Sequence, residues 1–137
     1  MIEVVSAVII RNGRILLTQR RADKVYPFMW ECPGGKVDGN ESHHAALKRE
    51  LREELGCEAH ALAMNSLWCD KVTEEIFLLM YRVDITFQPQ ICEGQLGVGW
   101  FTADEMEGLT LTPGNKKALS VIAGHLRRCA AASAARA

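Results

Sequence analysis

Three glutamates stand at helical spacing near the middle of the chain. Glu50, Glu53 and Glu54 occupy positions i, i+3 and i+4, so a helix places their carboxylates on one face. Like charges this close cost stability, and the C-terminal end of a helix is unfavourable to anions. A hard divalent cation with oxygen ligands offsets that cost. Mg²⁺ favours a few carboxylates together with waters and substrate phosphates, so the pattern points to a phosphate substrate.

Two interpretations of the three glutamates are possible, a metal site and a solvated acidic face, and the segment before the helix distinguishes them. In the second interpretation, basic residues of the same helix would neutralise the glutamates. Gly34 and Gly35, however, permit backbone geometry that other residues do not allow, and Glu41 stands at the helix start, where it can hold that loop. The sequence therefore favours a metal site over a solvated face.

These residues resemble the Nudix box. The match runs from Gly35 through Glu41 to Arg49-Glu50-Leu51-x-Glu53-Glu54-x-Gly56, and every fixed charged residue and glycine is present at the right spacing. The one departure is Cys57, where the family normally has a bulky aliphatic residue. Cysteine packs as a small hydrophobe, so we expect looser packing there and no loss of chemistry.

Outside the box, the chain resembles the MutT-like nucleoside triphosphate pyrophosphohydrolases and the related CTP pyrophosphohydrolases. The segments that carry this likeness are residues 19–22, 30–36, 93–95 and 113–115. Cys32 departs from it, because an aromatic residue is usual before the Pro-Gly-Gly. The resemblance implies an α/β fold, an α/β/α sandwich with a mixed central β-sheet, formed as a single domain over residues 1–137.

The resemblance also implies a reaction and the residues that carry it. The reaction is hydrolysis at the β-phosphorus of a nucleoside triphosphate, which yields the monophosphate and pyrophosphate. The ligands of Mg²⁺, for which Mn²⁺ can substitute, are the carbonyl of Gly34 and the three box carboxylates: Glu50, Glu53 and Glu54. Arg49 and Glu41 would orient the carboxylates and the loop.

One carboxylate must take the proton of the attacking water. Family members differ in which one does so; Glu50 is favoured here, and Glu93 is the alternative. Glu93 is also a candidate as a further metal ligand.

Four residues are candidates for substrate binding. Arg21, and less securely Arg20, would bind phosphate, as would Lys36 beside the glycines. Asn115 offers one donor and one acceptor edge, which suits the O6 and N7–H of 8-oxoguanine. The alternative for Asn115 is a helix N-cap, a role that asparagine fills well.

The resemblance and Asn115 together predict that the protein hydrolyses oxidised purine nucleotides such as 8-oxo-dGTP. A pyrimidine nucleotide, CTP or 5-methyl-dCTP, is the alternative substrate, because enzymes that act on those nucleotides resemble the chain nearly as well. A non-catalytic nucleotide-binding module on the same fold is much less favoured, because such modules typically lose box glutamates.

The elements that must position these residues follow from local patterns. Asn12-Gly13 between two apolar runs predicts a hairpin. Ser42 and Gly56 bound a helix in which leucines recur every four residues. Thr102 caps a helical turn at 103–107, and Pro113 with Gly114 introduces a last helix at about 115–129. Residues 130–137 either extend that helix or fray.

The remaining segments are predicted as strands and loops, which together with the helices suggest an α/β sandwich. Strands are expected at about 4–10, 15–18, 59–68, 76–87 and 98–101, and loops at 21–40 and 88–95.

Composition limits the partners. The 137 residues have a net charge of -1, which does not favour duplex nucleic acid or an anionic membrane. Five cysteines without a Cys-x-x-Cys pair argue against a disulfide scaffold or structural zinc and predict free thiols in a reducing cytoplasm. The first residues lack the basic region of a signal peptide, and no apolar run is long enough to span a bilayer. We expect a cytoplasmic monomer or dimer.

Overall fold

The computed structural model describes residues 1–86, 88–90 and 95–136, and these form nine strands and three helices. In chain order the elements are β1 (Ile2–Val8), β2 (Ile10–Arg11), β3 (Arg14–Gln19), β4 (Trp30–Glu31), β5 (Gly34–Lys36), α1 (His43–Leu55), β6 (Ala59–Leu62), β7 (Trp68–Lys71), β8 (Ile76–Ile85), β9 (Gly97–Phe101), α2 (Ala103–Glu107) and α3 (Pro113–Arg136).

The larger sheet is mixed. Its strand order is β5-β1-β8-β6, and β7 also pairs with β8. The β1–β8 pair is parallel, with Val5 opposite Leu79, whereas the other pairs are antiparallel. The smaller sheet is antiparallel, with the order β2-β3-β4 and with β9 on β3.

Successive side chains of the central strands point to opposite faces and pack in two separate cores. On β1, Val5 packs in the core beneath α1, and Val8 packs in the core beneath α2 and α3. On β3, Leu16 joins the first core, and its neighbour Leu17 joins the second. Because both faces of these strands are covered, the molecule is an α/β/α sandwich, as predicted.

Several local predictions are confirmed. The hairpin turns at Asn12-Gly13, and both residues have positive φ angles (53° and 74°). Helix α1 starts after Ser42, whose side chain accepts a hydrogen bond from Ala45 N, and Gly56 ends it at φ 61°. Thr102 caps α2 in a capping box with Glu105.

Other boundaries differ from the prediction. The expected loop at 21–40 contains β4 and β5, short strands that exist only because β3 and β1 pair with them. The strand expected at 59–68 is two strands, β6 and β7, which both pair with β8. Helix α3 begins at Pro113 rather than Asn115 and continues to Arg136, so the described part of the tail extends the helix.

Within residues 1–86, 88–90 and 95–136, no helix combines the length and the apolar character that crossing a membrane requires.

Candidate active site

Helix α1 is fixed by the leucines of its inner face. Leu47, Leu51 and Leu55 are fully buried against the larger sheet. Cys57 is fully buried in the same core, which confirms that it packs as a small hydrophobe. Because this packing fixes the helix on the sheet, it also fixes the positions of the glutamates beside the leucine stripe.

A pair of glycines lets the glutamate helix and the sheet approach each other. Gly34 and Gly35 lie on β5, and Gly34 pairs with Ser6 of β1. A Cβ at Gly34 would overlap the carbonyl of Val5, and a Cβ at Gly35 would overlap the carboxylate of Glu50. Only glycine leaves room for the Glu50 carboxylate against the β5 backbone.

Arg49 ties the helix, the preceding loop and the glutamates together. Its Nε and Nη2 donate to the two oxygens of Glu41 at 2.8 and 2.9 Å. Nη2 also donates to the carbonyl of Lys36 at 3.0 Å. Nη1 donates to Glu50 at 2.9 Å and to Glu53 at 3.3 Å. The arginine therefore orients two box carboxylates and the strand before the helix at once.

Glu41 anchors this arginine. Hydrogen bonds from the Arg49 guanidinium, and a further one from the backbone N of Asp38, lower the pKa of Glu41 to about 2. The same pair raises the pKa of Arg49. Both groups are therefore ionised over the whole range in which an enzyme works.

A single cavity of about 660 Å³ collects most of the predicted site residues. Glu50 and Glu54 line it together with Gly34 and Gly35, and Arg20, Arg21, Lys36 and Asn115 line it as well. Glu53 is not among the described residues that line it: its side chain is 42% exposed and is paired with Arg49. Glu93 lies outside the described residues.

The two basic side chains predicted to meet phosphate differ in their surroundings. The Arg21 guanidinium forms a two-pronged pair with Asp23, with both nitrogen–oxygen distances at 2.9 Å. Lys36 ends β5 beside the glycines, on the side of the cavity where Glu50 stands. Both residues line the cavity.

Asn115 is 4% exposed, lines the cavity and connects two segments of its wall through hydrogen bonds. Its Oδ1 accepts from the backbone N of Cys32 at 3.0 Å, and its Nδ2 donates to Thr112 Oγ1 at 3.1 Å. Since α3 begins at Pro113, Asn115 lies inside the helix, and the N-cap interpretation is wrong.

Burial raises the pKa of the Cys32 thiol to about 12, so this wall carries no thiolate.

Sequence reasoning did not single out Glu31. Its carboxylate lines the cavity and accepts from Arg20 Nη1 at 3.0 Å and from the hydroxyl of Thr112. Burial raises the pKa of Glu31, and the Arg20 charge opposes the rise. The sequence did contain a signal for Glu31, because Arg20 and Glu31 both fall in segments that resemble the family. Their ion pair could not be predicted, because it forms only when β3 and β4 pair in the folded protein.

The donor set of the cavity suits a hard cation. Glu50 and Glu54 both line the cavity and offer carboxylate oxygens there. In the described part of the chain, no three histidine, cysteine, aspartate or glutamate side chains stand grouped as a ready metal site. The arrangement fits a divalent ion held by few protein ligands and completed by substrate phosphates and water.

A sandwich of two sheets with a glutamate-bearing helix against a Gly-Gly strand is the architecture of the Nudix hydrolases. The model of the NUDIX domain family matches residues 1–122. The chain belongs to this family and is a hydrolase, and Nudix hydrolases generally need a divalent metal.

Relatives with several names are similar to this chain. It is 59% identical over 59 residues to the CTP pyrophosphohydrolase of Escherichia coli, a match that covers 43% of this chain and 44% of that protein. It is 33% identical over 134 residues to a putative 8-oxo-dGTP diphosphatase 2 of Mycobacterium tuberculosis, which covers 93% and 92%. The solution structure of the E. coli ORF135 protein matches with a TM-score of 0.78 and 36% identity, over 88% of this chain and 87% of that one.

Proposed function

We propose that residues 1–137 form one catalytic domain, a Mg²⁺-dependent nucleoside triphosphate pyrophosphohydrolase. It would convert a nucleoside triphosphate and water into the monophosphate and pyrophosphate, with oxidised purine nucleotides such as 8-oxo-dGTP as preferred substrates. The observation that carries this proposal is the single cavity that two box glutamates, three basic side chains and Asn115 line together: Glu50, Glu54, Arg20, Arg21 and Lys36 with Asn115.

The glutamates make up the phosphate end of the proposed site. Glu50, Glu54 and the carbonyl of Gly34 would hold Mg²⁺ in the cavity that they line. Glu53 would complete the set, because it stands three residues after Glu50 on α1 and shares the Arg49 guanidinium with it. The bound metal supplies charge neutralisation on the triphosphate and a more acidic water. Lys36 and Arg21 would hold the phosphate oxygens against that ion.

Glu50 is the proposed acceptor of the water's proton. Its carboxylate is held from two sides, by the Arg49 guanidinium and by the β5 backbone at Gly35. A base held in place needs no reorganisation when the water attacks. Glu93, which lies outside the described residues, remains the alternative base and a proposed further metal ligand.

Asn115 makes up the base end of the proposed site. Its bonds to Cys32 N and Thr112 Oγ1 use one lone pair of Oδ1 and one N–H of Nδ2. One lone pair and one N–H are left by this count, a combination that complements the N7–H and O6 of 8-oxoguanine.

A cytosine nucleotide is the second candidate substrate. Glu31 presents carboxylate oxygens at the cavity, and an acceptor there suits the exocyclic amine of cytosine. The similarity to the E. coli CTP pyrophosphohydrolase supports the same candidate.

The test is pyrophosphate release with Mg²⁺ from a panel of 8-oxo-dGTP, dGTP, CTP, 5-methyl-dCTP and dATP, compared by kcat/KM. Preference for 8-oxo-dGTP supports the first proposal, and preference for a cytosine nucleotide supports the second with the same chemistry. Activity should disappear with a chelator and return with Mg²⁺ or Mn²⁺. No hydrolysis of any panel member would contradict the proposal and favour a different diphosphate or a non-catalytic binding module.

A further inference from the structure

An exposed tyrosine stands at the mouth of the cavity. Tyr26 lies in the loop between β3 and β4, is 41% exposed, and lines the same cavity as Asn115. Phe28, two residues later, is 55% exposed and is not among the described residues that line the cavity. The loop thus offers one aromatic ring to the cavity and one to solvent.

The backbone of this loop is held in an uncommon conformation. Tyr26 and Phe28 have φ angles of 56° and 64°, in the left-handed region that residues with large side chains rarely occupy. Such conformations persist only where surrounding contacts impose them, and they are concentrated at binding sites. Two of them in three residues show that the backbone of this loop is held by the contacts around it.

The contacts that impose it come from the end of β3. Arg20 Nε donates to the carbonyl of Val25 at 2.6 Å, and Gln19 Nε2 donates to the carbonyl of Phe28 at 3.1 Å. The backbone N of Phe28 donates to the carbonyl of Arg20 at 3.0 Å. A loop held in this way loses little further freedom when a ligand contacts it.

The same arginine connects the loop to the end of the cavity that holds Asn115. Arg20 Nη1 donates to Glu31, which also accepts a hydrogen bond from the hydroxyl of Thr112. Thr112 Oγ1 in turn accepts from Asn115 Nδ2. The hydrogen bonds therefore run without a break from the Tyr26 loop to the amide proposed to read the edge of the base. Tyr26 therefore lines the same cavity as Asn115, and its loop is joined to Asn115 by one series of hydrogen bonds.

We propose that Tyr26 stacks on the nucleobase of the substrate while Asn115 contacts the edge of that base. The inference rests on the proposed nucleotide function and adds a binding residue to it. An aromatic ring at the rim covers the flat face of a base, a contact that tolerates any base and typically changes affinity by about tenfold or more.

The test is calorimetric binding of 8-oxo-dGMP, CMP and ribose 5-phosphate to the metal-free protein. In Tyr26→Gly we expect about tenfold weaker binding of whichever nucleotide the wild type binds more tightly. Binding of ribose 5-phosphate should not change, because it has no base. Tyr26→Phe should stay within about twofold of the wild type, since the ring remains.

Phe28→Gly is the matched control. It removes an aromatic ring from the same loop and relieves the same backbone conformation, so both glycine variants should melt at or above the wild-type temperature. Only Tyr26→Gly should bind the nucleotide more weakly. Wild-type affinity in Tyr26→Gly, or equal losses in both glycine variants, would overturn the stacking role. If the metal-free wild type binds neither nucleotide, the KM of the triphosphate that it hydrolyses replaces affinity in the same comparison of variants. A wild-type protein that also hydrolyses no triphosphate of the panel would overturn the proposed function instead, and that result requires no variant.

Discussion

The backbone of Gly35 lies directly against the carboxylate of Glu50, so closely that a Cβ at position 35 would overlap Oε1 and Cδ. Strand β5 and helix α1 are therefore in contact at a point where the helix provides a carboxylate side chain and the strand has no side chain. Arg49 Nη1 also holds this carboxylate, through a hydrogen bond of 2.9 Å to Oε1. The glycine and the glutamate of the family pattern are thus two parts of one contact.

Gly35→Ala should abolish most activity by displacing Glu50. A misplacement of about 1 Å in a reacting group lowers catalysis by about 100-fold, and we expect kcat/KM to fall by at least that factor. Gly108→Ala is the control, because the nearest atom to its added Cβ is 3.5 Å away. Melting curves should show both variants folded, and wild-type kcat/KM in Gly35→Ala would contradict the role of this contact.

Glu54→Gln and Glu53→Gln should each remove turnover and leave the fold intact. Each change replaces a charged proposed ligand with a neutral one of the same shape, and we expect kcat to fall at least about 100-fold. Glu58→Gln is the control, since Glu58 pairs with Arg52 on the surface beyond the end of α1. Steady-state kinetics and circular dichroism measure both properties. Near-wild-type turnover in both variants would disprove the metal assignment.

Glu41→Gln should weaken catalysis and change how stability depends on pH. The pKa of Glu41 is about 2 in the folded protein, against an ordinary value of 4.5, because Arg49 binds the charged form. The charged pair therefore stabilises the fold above about pH 4.5, and this contribution is lost as the pH falls towards about 2. Activity should drop by roughly 10- to 100-fold, as is usual when a group that orients metal ligands is lost.

Thermal melts at a series of pH values measure the effect of this change. The difference in melting temperature between the wild type and Glu41→Gln should be greatest at neutral pH and should shrink below about pH 4.5. A difference that stays constant down to about pH 2 would show that ionisation of Glu41 does not stabilise the fold.

Asn115→Ala should raise the KM for 8-oxo-dGTP more than the KM for other nucleotides. It removes the edge proposed to read the base, and it also removes the acceptor of Cys32 N and the donor to Thr112. Loss of a buried hydrogen-bonding group at a specificity site costs about 1–3 kcal/mol, or roughly 5- to 150-fold in kcat/KM.

Asn115→Asp separates these two roles. It keeps an acceptor for Cys32 N but replaces the N–H donor edge with a second acceptor, so the ratio of kcat/KM values should shift towards bases with an exocyclic amine. Equal losses for every nucleotide in both variants would show that Asn115 only holds the cavity wall.

Elements with strong local signals could be predicted from the sequence. Helix α1 has a serine that caps its first turn, a glycine with positive φ after its last turn and leucines every four residues between them. Thr102 and Glu105 form their capping box within four residues of chain. These interactions join residues close in sequence, so they leave a readable pattern.

Elements that exist only through pairing could not be predicted in this way. Strands β4 and β5 have two and three residues and lie in a segment rich in proline and glycine, which by itself is typical of a loop. The segment at 59–68 divides into two strands because β8 pairs with both β6 and β7.

Helix α3 starts at Pro113 rather than Asn115, because proline has no backbone N–H and the first position of a helix does not need one.

The sequence alone determined the family resemblance, the glutamate set on α1 and the charged residues around it, because these depend on residue type and spacing. Only the tertiary structure decided that Glu50 and Glu54 line the cavity while Glu53 pairs with Arg49 beside it, and that Asn115 bonds to Cys32 across 83 positions of chain. The physical reason is distance along the chain. Helical periodicity acts over a few residues, whereas the cavity forms where β1, β4, β5, β8, α1 and the start of α3 meet.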